Sequence, residues 1–76
     1  MFNKHFSERL NQELDKIDFP KPQEERVEAF AKLLHVSRFK AETMLGGHIP
    51  TDPLLIDKIV GELEVDRKWL LGEDSH

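Results

Sequence analysis

Arg38, Phe39, Lys40, Glu42 and Thr43 crowd one short stretch of the chain, and their types suit the reading of DNA. Arginine and lysine donate to guanine edges or to phosphates, while an aromatic ring can cover a thymine methyl. On a helix turning about 100° per residue, Ala41, Met44 and Leu45 share one inward face. Phe39 and Thr43 then lie about 200° from Ala41 and point outward, with Arg38 and Lys40 on the flanks and Glu42 near them. A phenylalanine exposed between two cations is an odd solvent face and a reasonable reading face. The competing reading folds Phe39 back against a neighbouring helix as ordinary core.

Charge singles out the same stretch. The chain carries a net −4 over 76 residues. Residues 1–28 sum to −2 and residues 52–76 to −4, whereas residues 29–51 hold Lys32, Arg38 and Lys40 against Glu42 alone, a local +2. Phosphate contacts dominate non-specific affinity, so a chain of this balance should bind DNA weakly in general and depend on a few placed side chains.

Catalytic constellations are missing from the pattern. Glu24, Glu25 and Glu28 cluster at a helix start, where carboxylates favour the helix dipole and stay solvated. His5, His35, His48 and His76 fall in different segments without metal-ligand spacing, and there is no cysteine. Ser7, Ser37 and Ser75 lack a glycine-rich elbow, and Gly46-Gly47 closes a helix rather than cradling a phosphate. No enzyme, metal, cofactor or small-molecule ligand is expected. No apolar run approaches the roughly 18 residues that span a bilayer, and the N-terminus lacks a signal-peptide layout. The expectation is one soluble, cytoplasmic domain over residues 1–76, with an ordered core at about 6–72 and a short acidic tail at 73–76.

Five helices are predicted to position the reading face, with no strand pattern. Phe6, Leu10, Leu14 and Ile17 recur at spacings of four, four and three, an amphipathic first helix that stops near Asp18 because Phe19 precedes Pro20. Pro22 opens a second helix with Val27, Phe30, Ala31 and Leu34 on its stripe, ending at His35. The corner at His35 requires a left-handed backbone, which histidine tolerates less readily than glycine. Val36 drops to the core and Ser37 caps the third helix, which runs to about Leu45. Asp52-Pro53 starts a fourth helix with Ile56, Ile59, Val60 and Leu63 buried, and Asp66 caps a short fifth containing Trp69, Leu70 and Leu71 before Gly72. Trp69 and its neighbours either pack on the first helix or supply an interface to a second copy.

In order and spacing these segments resemble the lambda-repressor-like helix-turn-helix regulators, which include the Cro and phage repressor domains and the xenobiotic-response-element type. The resemblance covers about Phe6 to Glu73. It is carried by Arg9-Leu10, by Phe30-Ala31-Lys32-Leu33-Leu34 with Val36-Ser37, by Leu45-Gly46 with Pro50, and by Leu63-x-Val65-x-x-x-Trp69-Leu70-Leu71-Gly72. It implies an all-α, five-helix bundle containing a helix-turn-helix whose third helix enters the major groove of an operator. Carried over by position, Ser37, Arg38, Phe39, Glu42 and Thr43 would face bases or nearby phosphates, and Lys40 a phosphate. The sequence departs from the family pattern at two places. Val27 stands where glutamine often opens the motif, so that contact is missing or passes to Arg26, and His35 stands where glycine often makes the corner. The function so implied is sequence-specific transcriptional regulation, repressor-like, by a homodimer on double-stranded DNA. The rival is a protein-binding module, an acidic adaptor or anti-repressor docking another regulator through Phe39.

Overall fold

The computed structural model describes residues 3–73, which form five helices and no strand, 69% of them helical. These are α1 (Lys4–Lys16), α2 (Gln23–Leu34), α3 (Arg38–Leu45), α4 (Pro53–Leu63) and α5 (Arg67–Leu71). Residues 74–76 of the expected tail lie outside the described residues.

Each start has a local cause. Asn3 caps α1, its side-chain oxygen accepting from the amides of His5 and Phe6, so the helix begins at Lys4, ahead of the apolar stripe that starts at Phe6. Ser37, Asp52 and Asp66 cap α3, α4 and α5 in the same way, each accepting an amide of the first turn. Pro22 is the exception: it stands just before α2 in extended geometry and offers no side-chain cap, leaving Gln23 as the first helical residue.

All five ends close alike. The amide two residues past the last helical carbonyl pair folds back across the end, as in Phe19 to Leu14 (3.0 Å), Val36 to Ala31 (3.0 Å), His48 to Thr43 (2.9 Å), Val65 to Val60 (3.2 Å) and Glu73 to Lys68 (2.8 Å). This closure needs one left-handed residue. Gly47 and Gly72 supply it without strain, but Asp18, His35 and Glu64 adopt it as non-glycine residues at φ of 58°, 59° and 55°. A left-handed L-residue costs roughly 1–2 kcal/mol, partly offset in a glycine variant by its looser unfolded state. His35→Gly is therefore expected to raise stability by about 0.5–1 kcal/mol, read as a higher urea midpoint at unchanged slope. The exposed His35 side chain has no packing to lose.

The core is built from Phe6, Leu10 and Leu14 of α1, Val27, Phe30, Ala31 and Leu34 of α2, Ala41, Met44 and Leu45 of α3, Ile56 and Ile59 of α4, and Leu70 of α5. Val36, Val60, Leu63, Trp69 and Leu71 pack against it half-buried. One expected core residue is elsewhere. Ile17 is exposed, because α1 stops at Lys16 and the left-handed turn at Asp18 reverses the chain; Phe19 packs against the core instead. Trp69 takes the first of its two expected places, with the Arg9 guanidinium 5.2 Å above its ring and donating to its carbonyl.

Polar side chains of α1 finish the ends of other helices. Ser7 Oγ and Asn11 Nδ2 donate to the Leu45 carbonyl at the end of α3 (2.9 and 3.2 Å), and Asn3 Nδ2 donates to the Leu71 carbonyl of α5 (3.1 Å). Lys58 of α4 does the same for Leu34 at the end of α2 (3.2 Å). These carbonyls have no partner within their own helices, so each bond both fixes an end and joins two elements.

Candidate functional site

Helix α3 buries one face and spends none of the other on the fold. Ala41, Met44 and Leu45 are in the core, while Arg38, Phe39, Lys40 and Glu42 are exposed and Thr43 is half-buried. Phe39 is 75% exposed, the most exposed of the large apolar side chains among the described residues. Ser37 Oγ accepts from the Lys40 amide (3.1 Å), and Thr43 Oγ1 donates to the Lys40 carbonyl (2.8 Å), which leaves the threonine oxygen free to accept. The helix is held at both ends, by the Ser37 cap at its start and by Ser7 and Asn11 at Leu45.

An open hollow of about 410 Å³ lies between the first turns of α2 and α3, lined by Gln23, Glu24, Val27, Arg38, Phe39 and Glu42. Its floor is the buried Val27 and one wall is Phe39; the other four side chains are polar and exposed. Arg38, Glu24 and Glu42 make no ion pair with one another or with other described residues, and Lys40 makes none either. The site thus gathers two uncommitted cations, two uncommitted carboxylates and an uncovered ring.

Six of the seven residues expected at the site, Ser37, Arg38, Phe39, Lys40, Glu42 and Thr43, share this end of α3. Arg26 does not join them. It is 5% exposed and faces α1, where Nε donates to the Pro20 carbonyl (2.8 Å), Nη1 to Asn11 Oδ1 (2.9 Å) and Nη2 to Asp15 Oδ1. A guanidinium buried to this extent, with all three nitrogens engaged by protein acceptors, is not presented to a ligand. Its role is to position. Asn11 receives from Arg26 and donates to Leu45, so one side-chain chain links α2, α1 and the end of α3.

Gln23 was not among the expected residues, yet it opens α2 and lines the hollow beside Arg38 and Phe39. The signal was present: Gln23 precedes Val27 by four residues, one helical turn along the same face. Reading the motif as opening at Val27 hid it, although Pro22 already marked a helix start one turn earlier.

Among the described residues no group of histidine, aspartate or glutamate side chains is arranged to hold a metal ion, and no helix is long and apolar enough to cross a membrane. No family model, curated protein or solved structure matches this chain.

Proposed function

We propose that the chain is a sequence-specific DNA-binding regulator of transcription, repressor-like, in which α2, the His35 corner and α3 act as a lambda-repressor-like helix-turn-helix. The observation that carries this reading is the exposed Phe39 between the unpaired Arg38 and Lys40, on a helix whose backbone is tied down at both ends. A reading helix needs rigidity, because contacts to base edges discriminate only when side chains approach from fixed positions. Arg38, Phe39, Glu42 and Thr43 would face the bases, and Lys40, Ser37 and Gln23 the phosphates at the groove edge.

An eight-residue helix is only about 12 Å long and reads a few base pairs. A homodimer on two half-sites about 34 Å apart would double the contact. The acidic balance elsewhere keeps general affinity low, so the operator must be found by its own sequence.

A second reading, docking of a partner protein, is favoured by the apolar floor of the hollow and by Phe39 as an anchor. Charge separates the two. Selection from random duplexes at moderate salt is expected to enrich a two-fold-related site. Affinity for that site should fall steeply with salt, and Arg38→Ala and Lys40→Ala should each weaken it, the lysine change lowering the salt slope by about one. No enriched site, or binding indifferent to both substitutions, would overturn the DNA reading.

A further inference from the structure

Glu42 is the residue at this face that a phosphate-binding surface has no use for. Its carboxylate is exposed at the hollow beside Arg38, one helical turn away, and the two do not pair. An arginine four residues before a glutamate is the weaker of the two orientations for a helical ion pair, which leaves both groups available to a ligand. The ligand must then offer a hydrogen-bond donor to the carboxylate and acceptors to the guanidinium within about 6 Å of one another, with an apolar group alongside for Phe39. Phosphate offers only acceptors. The major-groove edge of a C·G pair offers both: the cytosine amino group donates, and guanine O6 and N7 accept.

We propose that Arg38 and Glu42 jointly read one C·G base pair in each half-site, Arg38 on the guanine and Glu42 on the cytosine amino group, with Phe39 against the methyl of an adjoining thymine. The inference rests on the DNA-binding reading above. Glu42 contributes discrimination chiefly by exclusion: opposite a thymine or guanine edge its carboxylate meets only acceptors, and it is left desolvated without a partner.

The test compares selections from random duplexes by the wild-type chain and by Glu42→Gln. The exposed Glu42 side chain makes no hydrogen bond or ion pair with the described residues, so the variant should unfold at the same urea concentration as the wild type. The wild type is expected to enrich C·G at one position of each half-site beside a thymine. The variant should relax that preference, since the neutral amide of glutamine can also donate to the thymine and guanine acceptors that exclude a carboxylate, with the other positions unchanged. On the wild-type operator its affinity should fall about ten-fold or more. A consensus without that C·G pair, an unchanged consensus for the variant, or equal weakening on every sequence overturns this assignment while leaving DNA binding in place. No enrichment by either protein overturns both.

Discussion

Replacing Arg26 with alanine should destabilise the domain by about 3 kcal/mol, the scale on which removing one partner from a buried charged network operates. Domains of this kind are stable by roughly 5–15 kcal/mol, the smaller ones at the lower end, so the variant would be partly unfolded on mild warming. The loss has three sources. Asn11 Oδ1 and the Pro20 carbonyl lose charged donors, Asp15 loses its counterion, and the stem of the arginine leaves space between α1 and α2. Lysine should not restore it, because one ammonium cannot reach three acceptors arranged for a planar fork. Asp15 is the exposed end of the cluster and fares better alone, as its carboxylate is half open to water.

The same cluster gives the protein an acid limb. The hydrogen bond from Arg26, reinforced by the charges of Arg26 and Lys21 and opposed by desolvation, holds the Asp15 carboxyl below its ordinary pKa of 3.8. A carboxyl depressed in the folded state binds its proton more weakly there than in the unfolded chain. Its stabilisation is therefore complete above the unfolded value and is lost as pH falls through the folded one. Urea midpoints measured downward from pH 5 should decline in the wild type. The decline should be shallower in Asp15→Asn and in Arg26→Met, which lack the charge pair.

Arg26 also shows where sequence reasoning stopped. Caps and breaks act over a few residues, and Asn3 apart they were legible: Ser37, Asp52-Pro53, Asp66 and Gly72 mark helix limits through their own backbone chemistry. His35 as a left-handed corner was legible for the same reason. Arg26 sits beside Val27 and four residues before Phe30, on the edge of the apolar stripe, where a long cation can turn either way. What decides its direction is Asn11 and Asp15, four residues apart on α1 and facing α2, a tertiary fact that periodicity within one helix does not contain. Ile17 failed similarly. The stripe of α1 extends to it by spacing, but the chain reverses at Asp18 before its side chain can turn inward. At the site, the face of α3 followed from helix geometry alone, whereas the hollow with Gln23 required the docking of α2 on α3.

Phe39→Ala should show the opposite signature to Arg26→Ala. With three-quarters of its surface already in water, Phe39 has little burial to lose, and alanine is the better helix former by about 0.5 kcal/mol. Stability should stay within about 0.5 kcal/mol of the wild type, while on the proposed DNA-binding function affinity for the selected operator falls about ten-fold. Loss of binding by itself would fit any partner that covers the ring, protein included. A thermodynamic cycle with the DNA separates them: deoxyuridine in place of the thymine beside the C·G pair removes one methyl and changes little else. If the ring covers that methyl, the base change weakens wild-type binding several-fold and leaves Phe39→Ala binding unaltered, since either change removes the same contact. Independent, additive losses would place Phe39 elsewhere on the duplex. A residue whose removal costs the fold nothing but couples to a single methyl on the ligand has no structural role left to explain its presence, and that is the property a reading residue must have.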